Sequence, residues 1–162
     1  MSLRSEVRGD RGVARLEVDE LDRVITLALT RPDCPIVLLS GDAEGAAELA
    51  VETNVLRWRE RRLPGGRPIF NRKTGRDEPG FEFEVEIRYS LTIRARGVEK
   101  PLFEKENRST AKIGTMDILG FDPRREARQR AMRWIVDRVR DQACDQAKAA
   151  LRGRARATEP VH

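Results

Sequence analysis

Histidine is almost missing from this sequence of 162 residues, and the single one, His162, is the last residue. Without an internal imidazole, neither a histidine-based nucleophilic triad nor a histidine-containing zinc site has the group it depends on. Cysteine is nearly as scarce: Cys34 and Cys144 stand far apart and match no zinc-ligand spacing. They leave two readings, a pair of half-buried thiols or a disulfide clipping the segment after the first helix to the last helix. Aromatic residues make up only 5%, which provides few faces on which nucleic-acid bases can stack. No stretch approaches the roughly 20 apolar residues of a membrane-spanning helix, and Met1-Ser2-Leu3-Arg4 has no signal-peptide core. The chain is therefore expected to be soluble, either cytoplasmic or the mature part of an exported protein. No cofactor is expected. Gly41-Asp42-Ala43-Glu44-Gly45 follows an apolar run as a phosphate loop does, but it lacks the glycine spacing and the Lys-Ser/Thr ending.

What the sequence has in abundance is charge. Charged residues are 36% of the chain, and 32 Lys and Arg against 27 Asp and Glu leave a formal charge of +5. Most of the cations are arginines, whose planar fork suits phosphate and carboxylate, so an anionic partner and a merely well-solvated surface are both open. The length suits one domain that buries its own core. The boundaries read as a flexible arm at 1–12, one α+β domain at 13–152 and a flexible tail at 153–162.

Within the domain, Val13 to Val18 reads as a first strand. Asp19 or Asp22 then caps a short helix, because Leu21, Val24, Ile25, Ala28 and Leu29 share one face, although Val24-Ile25-Thr26-Leu27 also suits a strand. Pro35 to Ser40 reads as a short buried strand ending in a turn at Gly41-Asp42. Residues 48–61 are β formers whose apolar parity slips between Val55 and Leu56, which predicts a bulge. The stretch from Leu63 to Gly80 is rich in proline and glycine and reads as a long basic loop, either a contact surface or a plain hairpin tip.

The clearest pattern is Phe81 to Arg96, where Phe81, Phe83, Val85, Ile87, Tyr89, Leu91, Ile93 and Ala95 alternate with polar residues. That is a long strand with one face in the core and one in water. Folding 48–61 back against it places Trp58 opposite Val85, with Arg57, Arg59 and Arg61 facing Glu86, Glu84 and Glu82. Leu102 to Ile113 returns as a polar edge strand. Asp122-Pro123 starts a long helix whose Ala127, Ala131, Ile135, Val139, Ala143, Ala147 and Leu151 recur every four residues. The expected architecture is βαβββα: an antiparallel sheet of about four strands covered by a long C-terminal helix and a shorter first helix.

Glu82, Glu84 and Glu86 share one strand face with basic neighbours, which describes a solvated ladder better than an acid–base pair, so no catalytic residues are assigned. Nucleic-acid binding by a cytosolic α+β domain is the rival from another class, carried by the arginines of 57–62, the basic loop and Arg124 to Arg133.

The element order, together with Glu84-Val85-Glu86-Ile87-Arg88-Tyr89-Ser90-Leu91 followed by Lys100-Pro101-Leu102-Phe103-Glu104, resembles the periplasmic domains of outer-membrane assembly lipoproteins. Two groups share the pattern, the lipopolysaccharide-assembly lipoproteins and the curli-secretion or penicillin-binding-protein-activator lipoproteins. The resemblance implies a non-enzymatic, periplasmic, outer-membrane-associated module that docks on a protein partner and contacts anionic glycolipid or glycan. Arg57, Arg59, Arg61, Arg67, Arg72, Lys73 and Arg76 are then the candidate anion or partner contacts, on charge alone.

Overall fold

The structure, a computed structural model, describes residues 1–39 and 47–157. The turn at Gly41-Asp42 and residues 158–162 of the expected tail lie outside the described residues. Strand β6 (Phe81–Ala95) lies at the centre of the fold. Its inward side chains Val85, Ile87, Leu91 and Ile93 are fully buried and Tyr89 nearly so, each contributing about 2 kcal/mol by leaving water. Helix α2 (Pro123–Ala157) lies over them. Its stripe of Ala127, Ala131, Ile135, Val139, Ala143 and Ala147 is wholly buried, and the alanines let its axis approach the sheet. Ser109 ties the helix down further by donating its hydroxyl to the Ala131 carbonyl at 2.8 Å. The helix begins where expected: Asp122 Oδ1 accepts the N–H groups of Arg124 and Arg125, and Pro123 takes the first position. It runs past Gly153, so the tail proposed from that residue is helical through Ala157.

The sheet has five strands in the order β2-β1-β3-β6-β7. Strands β3 (Leu49–Pro64), β6 and β7 (Phe103–Gly114) form an antiparallel meander, with β7 at the edge as its composition predicts. The sheet is nevertheless mixed rather than antiparallel, because β1 pairs in parallel with both β2 and β3. The expected arm at 1–12 is in fact strand β1 (Ser2–Gly9), which is inserted between two neighbours. Its inward positions are Leu3, Ser5 and Val7, of which only Leu3 is fully buried. Two apolar residues in eight were too weak a pattern to announce a strand.

The expected strand at 13–18 is instead the entry to helix α1 (Arg15–Leu29). Ala14 is its N-cap, and its N–H donates to the Glu17 carboxylate at 3.2 Å, so neither Asp19 nor Asp22 caps the helix. Val13 and Val18 stand at the N′ and N4 positions that commonly staple a helix start. Both crowd Gly9, where a Cβ would meet the Val18 side chain at 2.6 Å. Leu21, Ile25, Ala28 and Leu29 form the buried face, as the helical reading of this segment requires.

Strand β2 is only Val37–Leu38 and lies at an edge, with Val37 63% exposed, not a buried strand as expected. The basic loop is also more regular than its prolines and glycines suggested. It contains a hairpin of β4 (Ile69–Asn71) and β5 (Arg76–Glu78).

The β3–β6 pairing departs from the expected register by two residues: Trp58 opposes Ile87, Arg59 opposes Glu86 and Arg61 opposes Glu84. The expected bulge is present between Val55 and Arg57. A two-residue slip leaves every side chain on its expected face, so alternation alone is blind to it.

Cys34 and Cys144 are joined in a disulfide that spans 110 residues and ties the segment after α1 to α2. A loop of that size stabilises the fold by about 5 kcal/mol through the unfolded state. Replacing both residues, Cys34→Ser/Cys144→Ser, is expected to lower the melting temperature by about 10 °C. A reductant should lower the wild type similarly and leave the variant unchanged in a thermal scan.

Asp22 gives a second test. Burial raises its carboxyl pKa, repulsion from Asp19 and Glu6 adds to this, and the Val7 N–H partly offsets it. With the folded pKa above the unfolded one, ionised Asp22 opposes folding at higher pH; the opposition begins to fall as pH drops through the folded value and is gone below the unfolded one. Asp22→Asn should therefore raise the denaturant midpoint at about pH 7 and leave it unchanged near pH 3.

Candidate functional site

Both helices pack on one face of the sheet, and the opposite face of β3, β6 and β7 is open. The polar members of each alternating strand project there and line up in rows across the ladder. Arg57 of β3 opposes Arg88 of β6, which opposes Arg108 of β7. The next rows are Arg59, Glu86 and Thr110, then Arg61, Glu84 and Lys112. Three arginines side by side repel one another. Glu86, only 7% exposed, relieves two of them, lying 3.4 Å from Arg88 and 3.6 Å from Arg108. Arg61 pairs with Glu84 at 2.6 Å, and Lys112 with Glu82. Exposed pairs of this kind contribute at most about 1 kcal/mol each, so they organise the face more than they stabilise it. Arg57 and Arg59 are exposed and make no hydrogen bond or ion pair among the described residues.

The register slip has a direct chemical effect here. In the expected pairing Arg57 met Glu86; in the structure it faces Arg88 instead and is left uncompensated.

Of the seven expected contact residues, the structure gathers Arg57, Arg59 and Arg61 on the open face. The other four belong to the hairpin: Arg67 precedes it, Arg72 and Lys73 lie at its turn, and Arg76 begins β5, all exposed. None of these four has a carboxylate partner among the described residues. Arg88 and Arg108 were not among the expected contacts. Their signal was available, since both occupy polar positions of alternating strands, but their alignment with Arg57 depends on register.

Other arginines are engaged elsewhere. Arg62 faces the opposite side from Arg61, its guanidinium 3.9 Å from the Phe81 ring centroid. Glu60, on the helix side of β3, lies 2.7 Å from Arg124 and 2.8 Å from Arg128, and Arg128 also reaches Glu17 of α1 at 3.3 Å. Trp58 donates its indole N–H to Glu60 at 3.0 Å and lies beneath Arg128. This partly buried network joins β3 to both helices and removes Arg124 and Arg128 from the set free to track phosphates.

Free guanidinium groups in a row can take carboxylate or phosphate oxygens bidentately. Among the described residues, no group of three His, Cys, Asp or Glu side chains is placed to hold a metal, and no helix is long and apolar enough to cross a membrane.

No protein-family model and no curated protein matches the chain. Similar solved structures exist. A hypothetical protein of Chlamydia trachomatis shares 14% identity and a TM-score of 0.53, over 89% of this chain and 98% of that one. A minor lipoprotein of Acinetobacter baumannii shares 17% identity with a TM-score of 0.43, over 92% and 93%. The rare lipoprotein B of Shewanella oneidensis shares 17% identity with a TM-score of 0.30, over 94% and 98%. The first of these likenesses is one of fold across almost the whole of both chains.

Proposed function

We propose that this chain is a non-enzymatic binding or assembly module of the bacterial cell envelope, which docks on a protein partner through the open face of its sheet. The observation that carries the reading is the row Arg57–Arg88–Arg108 with its neighbour Arg59: a line of cations, two of them without partners among the described residues, on a face that neither α1 nor α2 covers. An acidic protein surface, or the phosphate and carboxylate groups of an anionic glycolipid or glycan, supplies the complementary charge. The location proposed is periplasmic and outer-membrane-associated; the Cys34–Cys144 bond supports its periplasmic part, because such bonds persist in oxidising compartments and are rare in the cytosol.

The proposal is tested by fractionating cells that express the native gene. Recovery with outer-membrane components is expected, and Arg57→Glu/Arg59→Glu should reduce it without changing the melting temperature, since both side chains are exposed. Recovery only with cytosolic ribonucleoprotein would overturn the reading in favour of nucleic-acid binding. A salt titration against duplex and single-stranded nucleic acid complements it. Tight binding that weakens steeply with salt would point to phosphate tracking; weak, salt-insensitive binding is expected.

A further inference from the structure

One end of the sheet carries an apolar tip that the core does not need. Strand β3 ends there, β6 begins there, β7 ends there and α2 begins there, so the β4–β5 hairpin and the connector 115–122 leave from the same place. Thr115 joins the two. Its hydroxyl donates to the Arg67 carbonyl at 2.8 Å, and its N–H donates to the Phe81 carbonyl at 2.8 Å. Beyond Thr115 the chain forms a turn in which the Phe121 N–H donates to the Ile118 carbonyl at 3.1 Å. Gly120 takes φ +76°, as the third position of a type II turn requires. Phe121 packs against the core and anchors the far side.

That geometry lifts Leu119 to the apex of the turn. Leu119 is 99% exposed, Ile118 61% and Met116 46%, and Phe70 on the neighbouring hairpin is 49% exposed. Turn apices in water are ordinarily polar, whereas three of the five residues from Met116 to Gly120 are large and apolar. Adjacent exposed apolar side chains mark a contact, where a scattered single one would not.

The hairpin that leaves from the same end carries Arg67, Arg72, Lys73 and Arg76, none with a carboxylate partner among the described residues, against Asp77 and Glu78; the start of α2 adds Arg125 against Asp122 and Glu126, and the turn itself carries Asp117. Exposed apolar side chains beside a cationic hairpin are the composition of a segment that enters the interface of an anionic bilayer, where the apolar groups reach the acyl boundary and the hairpin cations meet lipid phosphates. We infer that this end of the molecule, with Met116, Ile118 and Leu119 as the inserting residues and Arg67, Arg72, Lys73 and Arg76 as the headgroup contacts, docks on the surface of an anionic phospholipid bilayer. The inference rests on the envelope reading for its setting, but it concerns a different surface from the Arg57 row.

The test is co-sedimentation of the purified chain with vesicles of phosphatidylcholine alone and of phosphatidylcholine mixed with phosphatidylglycerol. Binding to the mixed vesicles and little to the neutral ones is expected, falling as salt is raised. Arg72→Gln/Lys73→Gln should weaken binding by at least about tenfold at low salt. Ile118→Asp/Leu119→Asp should weaken it at least as much while leaving the melting temperature unchanged. Leu119→Trp should show blue-shifted emission, quenched by brominated lipid, on mixed vesicles only.

A wild-type chain that stays in the supernatant with both vesicle types would overturn the proposal. So would an Ile118→Asp/Leu119→Asp variant that binds as well as wild type, since the apolar tip would then have no part in the contact. Either failure leaves the envelope module intact if Arg57→Glu/Arg59→Glu still releases the chain from outer-membrane components. Loss of that effect with vesicle binding retained would separate the two in the other direction.

Discussion

Burial of the inner face of β6 beneath α2 is the constraint on which the rest of the molecule depends. Val85, Ile87, Leu91 and Ile93 are wholly removed from water there, against a helix face built mainly of alanine. Small side chains on the helix face large ones on the strand, so the two elements approach closely, as dense packing of the interior demands. Once β6 is set face-down, β3 and β7 pair with its two edges, and the ladder carries that orientation to both neighbours.

Several weaker ties then hold the assembly around this contact. The disulfide joins α2 to the chain leaving α1, and Glu60 draws Arg124 and Arg128 onto β3. Ser109 bonds the α2 backbone to the edge strand. Each acts at a different point along a 35-residue helix. Leu151, 37% exposed, shows where cover ends.

A sheet covered on one side only leaves the other side to chemistry with solvent or a partner. The same arginine-rich composition is thereby sorted into two kinds of cation. Arg124 and Arg128 are satisfied by Glu60 and serve the fold, whereas Arg57, Arg59 and the hairpin cations have no acceptor among the described residues. The second kind is chemically available to an anion, because an unpaired exposed guanidinium has its hydrogen-bonding fork still to use. The apolar turn at Leu119 belongs to the same logic, a surface feature whose local geometry is fixed by Gly120 and Phe121 while its side chains gain nothing from the fold itself.

What the sequence alone determined was the set of elements with strong period: the alternating strand from Phe81, its polar edge partner, the bulge before Arg57, and the helix from Pro123 with its inward stripe. Each announces itself because a buried face must repeat every two or every 3.6 residues. The arginines of 57–61 were legible as one exposed face for the same reason. Tertiary structure alone decided three other matters. It placed the weakly patterned residues 2–9 between two strands, where pairing by backbone groups substitutes for apolar side chains. It chose between free thiols and a bond for Cys34 and Cys144, which depends on two distant points meeting. Finally it set the β3–β6 register two residues from the one that paired every Arg57–Arg61 cation with a carboxylate. Alternation repeats every second residue, so only the packing of Leu49 to Val55 against Tyr89 to Ala95 could select among slips of equal parity, and that selection aligned Arg57, Arg88 and Arg108.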